Sequence, residues 1–158
     1  MAHSIRDAVA TDAEVGCVVL RRSIVELCAA DHNNDATFLG NWLSNKTPAV
    51  FRSWIVQPGN SVLVAVEQEC IIAVGSVTDA GNITLNYVSP DVRFRGVSKA
   101  MLFALEARAI DRGSRVATLN STETAHRFYL ANGYVDVGPR NGGNAGTLMR
   151  KVLNAADA

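Results

Sequence analysis

Residues 88–102 read Val88-Ser89-Pro90-Asp91-Val92-Arg93-Phe94-Arg95-Gly96-Val97-Ser98-Lys99-Ala100-Met101-Leu102. The pattern predicts the end of a strand, a basic turn with one glycine, and the start of a long helix. The first N–H groups of a helix have no intrahelical partner. The helix dipole adds about half a positive charge at the same end. Arg93 and Arg95 flank the turn. Free N–H donors, a positive helix end and two guanidinium groups in one concavity suit an anion, and a pyrophosphate best. Gly96 is where a Cβ would stand between the backbone and a phosphate oxygen. Taken alone, the turn is equally well an ordinary strand-to-helix connection.

The stretch resembles the acyl-CoA signature of the GCN5-related N-acetyltransferases, V-x-P-x-x-Q/R-x-x-G-x-G/A. Val88, Pro90, Arg93 and Gly96 stand at its fixed positions, and Ser98 replaces the last Gly/Ala. A second stretch resembles that family's other segment, N-x-x-x-x-A-x-x-F-Y-x-x-x-G-F/Y. Here Asn120, Ala125, Phe128, Tyr129, Gly133 and Tyr134 match throughout. Phe128 and Tyr134 read as core packing.

The resemblance implies acetyl-CoA as cofactor and direct acetyl transfer to an amine in a ternary complex. It implies a pantetheine arm lying where the strand ending at Val88 splays from the strand ending at Asn120. A main-chain N–H at Tyr87 or Val88 would then meet the acyl carbonyl and stabilise its developing negative charge. Asn120 suits the pantetheine amides. The run Arg93, Phe94, Arg95, Gly96, Val97, Ser98 and Lys99 would wrap the pyrophosphate, although Lys99 and Arg127 read equally well as solvated charges. Tyr129 is the implied general acid. A phenol with a pKa of about 10 is protonated at pH 7 and can donate to a departing thiolate whose thiol titrates near ~8.5.

The acceptor amine must lose a proton, since alkylammonium groups are charged at pH 7. Many family members carry a glutamate on the strand before the phosphate turn. Here that strand, Ile83-Thr84-Leu85-Asn86-Tyr87-Val88, holds no acid. Asn86 or Thr84 can orient a water but cannot act as a strong base. Glu26, Asp31, His32, Glu67 and Asp79 are the other candidates. His32 has the most suitable unperturbed pKa, ~6.5, but a lone loop histidine is usually solvated. The acceptor site is expected between residues 26–54, with Asp31, His32, Trp42 and Trp54, and the loop 139–146, with Asn86 at the strand. The tryptophans read first as core or dimer contacts, and a homodimer is compatible with them. The acceptor is an amine of a small molecule or a peptide. The missing strand glutamate favours a second reading, a noncatalytic acyl-CoA-binding or regulatory module with the same fold.

The elements that must position these groups follow from periodicity. Residues 3–9 predict a strand, and Thr11 or Asp12 caps a helix of about 18 residues with apolar positions at helical spacing. Residues 31–35 read as a loop. Two more helical segments hold Phe38, Leu39, Trp42 and Leu43, then Val50, Phe51, Trp54 and Ile55. Strands are expected over 61–66, 71–78, 83–88 and 116–120, and an antiparallel pair over 134–138 and 147–153. Helices are expected over 96–112 and from 121 or 122 to 131. The fold class is α/β (α+β), in one domain spanning 1–158. A mixed, mostly antiparallel seven-stranded sheet carries helices on both faces.

Composition limits the partners. The formal net charge is zero, which argues against broad nucleic-acid or membrane-surface binding. No apolar run nears the ~20 residues of a membrane span. The first residues lack a signal peptide's apolar core, so a cytoplasmic protein is expected. The three cysteines, at 17, 28 and 70, form no C-x-x-C pair, and the three histidines are scattered, so no metal site is expected.

Overall fold

A computed structural model of the chain describes residues 3–139 and 146–154. Seven strands form one sheet: β1 (Ser4–Asp7), β2 (Asn60–Glu67), β3 (Cys70–Thr78), β4 (Asn82–Val88), β5 (Val116–Ser121), β6 (Val135–Pro139) and β7 (Thr147–Val152). Their order is β1-β2-β3-β4-β5-β7-β6. Neighbours are antiparallel except β4 and β5. The helices are α1 (Ala13–Leu27), α2 (Ala29–His32), α3 (Ala36–Leu43), α4 (Pro48–Val56), α5 (Val97–Asp111) and α6 (His126–Ala131). This is the mixed, mostly antiparallel seven-stranded sheet expected from the sequence.

Two cores, one on each face, hold the sheet in place. On one face Met101, Leu102, Leu105 and Ala109 of α5 pack against Leu63, Ala65, Ala73 and Val77. On the other, Cys17, Leu20 and Ile24 of α1 and Phe51 of α4 pack against Val62, Val64, Val74 and Leu85. Gly16 costs α1 roughly 1 kcal/mol of propensity. In return it lets α4 approach closely, because a Cβ there would stand 2.9 Å from the Phe51 ring. Asp35 caps α3 through the Phe38 N–H (2.9 Å) and Thr47 caps α4 through the Val50 N–H (3.2 Å), with Pro48 in its first turn.

Glu106, on α5, is fully buried and fully engaged. It accepts from the Tyr134 hydroxyl at 2.8 Å and from the Lys151 ammonium at 3.1 Å. This ties α5 to β7 and to the segment after α6. Burial and the Glu106 carboxylate push the Tyr134 phenol well above the usual range.

Several boundaries differ from the sequence reading. A 3-10 turn, Ala10–Asp12, precedes α1, because the Asp12 carboxylate accepts from the Val9 N–H (2.8 Å) and pairs with Arg6. Residues 29–32 form the short α2 rather than a loop. The helix expected from 121 or 122 starts at His126, since Thr122 to Ala125 form a turn held from outside by Asp31. Of the expected loop 139–146, residues 140–145 lie outside the described residues.

Candidate active site

The decisive feature of the sheet is where it stops pairing. β4 and β5 are in register only at Asn82–Thr118 and Ile83–Leu119. Beyond Ile83 the two strands diverge. A register shift against β3 leaves Thr84 as an extra residue, so Ile83 faces the α5 core while Leu85 faces the α1/α4 core. From that point Asn86 and Val88 face the α5 side, and Leu85 and Tyr87 the other.

Antiparallel pairing also sets the main-chain directions. Ser89 donates its N–H to the Ile72 carbonyl of β3 at 2.8 Å. Bonded and non-bonded pairs alternate along such a ladder. Tyr87 therefore directs its N–H toward β3, and Val88 directs its own into the gap left by β5. Of the two strand-end donors expected from the sequence, Val88 is the one so placed.

A cleft of about 490 Å³ opens at this gap. Its walls are the end of α1 (Ser23, Leu27, Cys28), the end of β4 (Asn86, Tyr87, Val88), the turn into α5 and the start of α6 (Ala125, Phe128, Tyr129). A cavity of about 40 Å³ continues it through the gap, between Thr84–Tyr87 of β4 and Leu119, Asn120 and Tyr129. On the α4 face lies another cavity, of about 350 Å³, bordered by Thr84, Leu85, Tyr87, Trp42 and Trp54.

The turn has the backbone form of a concave N–H nest. Phe94 and Gly96 both have positive φ, +66° and +78°. Left-handed residues alternating with ordinary ones aim successive N–H groups into one concavity. For Phe94 this conformation is costly, on the order of 1–3 kcal/mol, and such strain clusters at ligand clamps. A Cβ on Gly96 would meet nothing of the chain within 4 Å, so the space beside it is open to the cleft. Arg93, Phe94, Gly96, Val97, Ser98 and Lys99 border the cleft. Arg95 does not: its guanidinium turns away to the Glu67 carboxylate at 2.5 Å. The Arg93 guanidinium lies 4.4 Å over the Phe94 ring.

At the bottom of the cleft is Tyr129, 7% exposed and packed edge-on against Phe128 and Tyr134. Burial pushes its phenol up to about 12, and an Asn86 side-chain hydrogen bond pulls it partly back. Asn86 Oδ1 is buried with no partner among the described residues. An orphan acceptor of this kind fits a ligand that carries N–H groups. Cys28 also borders the cleft, but burial raises its thiol to about 12. It stays a thiol at neutral pH and is a poor nucleophile.

Other residues singled out from the sequence lie elsewhere. Asp31 accepts from the Glu123 N–H (2.6 Å), the Thr124 N–H (3.3 Å) and the Thr124 hydroxyl (2.6 Å). It fastens α2 to the turn before α6 and holds the cleft wall from behind. His32 is 1% exposed. Its Nε2 lies 3.1 Å from the Ile24 carbonyl and its Nδ1 accepts from the Asn34 N–H at 3.0 Å. The ring therefore closes the end of α1, with both nitrogens engaged. Glu26 pairs with Arg22 and Glu67 with Arg95. No described carboxylate borders the gap. Asn120 is exposed and borders the gap rather than the main cleft. Ser23, Leu27 and Asn132 border the cleft without any signal in the sequence, because tertiary packing alone brings them there. Among the described residues, no group of three or more His, Cys, Asp or Glu is placed to hold a metal ion. No described helix is long and apolar enough to cross a membrane.

Residues 26–153 match the acetyltransferase (GNAT) domain family. The fold matches a GCN5-related N-acetyltransferase from Rhodopseudomonas palustris, with 27% identity, a TM-score of 0.86 and 97% of each chain covered. It also matches the PaiA N-acetyltransferase of Thermoplasma acidophilum, solved in complex with coenzyme A, at 17% identity and a TM-score of 0.85, covering 97% of this chain and 100% of that one. No curated protein matches the sequence.

Proposed function

The chain belongs to the acetyltransferase (GNAT) domain family, and we propose on that footing that it is an acetyl-CoA-dependent N-acetyltransferase acting by direct transfer in a ternary complex. The observation that carries this reading is the Tyr129–Asn86 pair at the floor of a cleft whose rim is the 93–98 turn. A buried phenol at the gap supports a proton donor beside the thioester.

The residues present fit coenzyme A. The N–H groups of the turn, with Arg93 and Lys99, would hold its pyrophosphate. Val88 N–H would meet the acyl oxygen, and Asn86 Oδ1 an N–H of the pantetheine arm or of the amine. When bound, the cofactor supplies an acyl carbon activated as a thioester. Tyr129 would hold the proton that a departing thiolate takes up, and the proton lost by the acceptor amine would pass to solvent, since no described carboxylate borders the gap. Cys28, held as a thiol, gives no reason to invoke a covalent acyl-enzyme.

The test is release of free thiol from acetyl-CoA with a panel of amines, beside calorimetric titration of coenzyme A. Binding with amine-dependent thiol release supports the enzyme. Binding without release from any amine favours the noncatalytic module instead.

A further inference from the structure

We propose that Tyr134 is a positioning residue for Tyr129: held by Glu106 and Lys151, it fixes where the Tyr129 phenol stands at the gap. This deepens the transferase reading and rests on it. The need for such a device begins with α6. The helix has six residues, too few to persist by propensity alone, and Tyr129 is its one buried residue. Its orientation must therefore be set at its ends. At the first end Asp31 holds the turn of residues 122–125.

At the last end the chain leaves through a left-handed glycine cap. Gly133, at φ +93°, donates its N–H to the Leu130 carbonyl at 3.3 Å, and Tyr134 donates its N–H to the Tyr129 carbonyl at 3.0 Å. This pair of bonds satisfies helix-end carbonyls and brings the residue after the glycine against the last turn of the helix. Here the two residues so joined are Tyr134 and Tyr129 themselves. Their rings meet edge-on with centroids 5.6 Å apart.

An apolar contact commonly completes such a cap, and a phenylalanine would supply it. Tyr134 adds direction. Its hydroxyl donates to Glu106 Oε2 at 2.8 Å, and the same buried carboxylate accepts from Lys151 Nζ at 3.1 Å. Glu106 lies on α5, which begins at the phosphate turn, and Lys151 lies on β7, which pairs with β5 beside the gap. The Tyr134 ring is thus tied to the elements that carry both parts of the site, and Tyr129 rests on that ring. A buried ion pair is a poor route to stability, since apolar residues of similar volume often do as well. What a fully satisfied buried network gives is one fixed arrangement. Burial and the Glu106 carboxylate keep the Tyr134 phenol protonated, so it remains a donor to Glu106.

The test is a double-mutant cycle on the full chain: Tyr134→Phe and Tyr129→Phe, alone and together. Each variant is read as kcat with the most active amine of the panel, coenzyme A affinity and Tm, with rates taken below the lowest Tm. Tyr134→Phe keeps the ring and leaves Lys151 on Glu106. With Tyr129 present it should lower kcat by about tenfold, short of the roughly 10²-fold that an ångström of misplacement costs. Coenzyme A affinity should stay within about twofold, the agreement expected of independent sites. In the Tyr129→Phe background the same change should lower kcat by less than about twofold, while Tm falls by a similar amount in both backgrounds. If the carboxylate left short of a donor unfolds the variant, Tyr134→Phe with Glu106→Gln repeats the cycle. Equal kcat losses in the two backgrounds, or an unchanged kcat with a lowered Tm, would overturn the inference and leave the transferase reading standing. A Tyr129→Phe chain that turns over at the wild-type rate overturns it too, since Tyr134 then has no acid to position. Release of no thiol with any amine, coenzyme A still binding, overturns the transferase reading itself and the inference with it.

Discussion

Asn86 and Tyr129 line the same gap where β4 parts from β5, and Asn86 Oδ1 is buried there without a partner among the described residues. The turn into α5 borders one end of the cleft, and the splayed strands and the Tyr129 phenol border the other.

The first prediction concerns pH. Burial holds the Tyr129 phenol at about 12 in the folded chain, against about 10 in an unfolded one. The unfolded chain thus loses its proton first. The stability this group contributes is complete below about pH 10 and is lost as pH rises through about 12. In turnover, the acid stays protonated throughout the assay range. The account expects kcat/KM to climb with pH as the amine deprotonates, with no fall before about pH 10. A downturn between about pH 8 and 10 would point to a different acid.

The second separates two arginines that look alike in the sequence. Arg93 borders the cleft, whereas Arg95 is committed to Glu67. Arg93→Ala should weaken coenzyme A binding by roughly tenfold or more, as loss of a charge-assisted contact to phosphate does. Arg95→Ala should change it little, since an exposed ion pair contributes only about 0–1 kcal/mol. Calorimetry on the two variants settles the assignment, and equal losses would contradict it.

The third concerns Asp31. Asp31→Ala removes the acceptor of three hydrogen bonds at the turn before α6. The cost should be about 1–2 kcal/mol, as for a lost helix cap, or a Tm lower by roughly 3–6 °C. Coenzyme A affinity should fall with it, because Thr122, Thr124 and Ala125 form the cleft wall. A change confined to the acceptor's KM would instead place Asp31 in the acceptor site.

Much of this was legible in the residues. The turn at 93–98 and the segment from Asn120 to Tyr134 each announce a strand-to-helix geometry, and the apolar spacing of Met101, Leu105 and Ala109 sets the buried face of α5. What could not be read was direction. Arg93 and Arg95 differ only in which side of the turn they leave from. His32 reads as a loop histidine until α1 ends beneath it and supplies two carbonyls. Asp31 reads as a candidate acid until the turn at 122–125 comes to meet it from 92 residues away. The bulge at Thr84, which puts Ile83 and Leu85 on opposite faces, depends on register against β3 and leaves no mark in the sequence.

Tyr129→Phe separates a general acid from a packing residue at the floor of the cleft. The substitution keeps the ring and its contacts with Phe128 and Tyr134 and removes only the O–H. Measured with the best amine, kcat should fall by roughly 10²-fold or more, the usual scale of lost acid catalysis, with coenzyme A affinity and Tm close to wild type. A variant that turns over at the wild-type rate, equally stable and still binding coenzyme A, would contradict it.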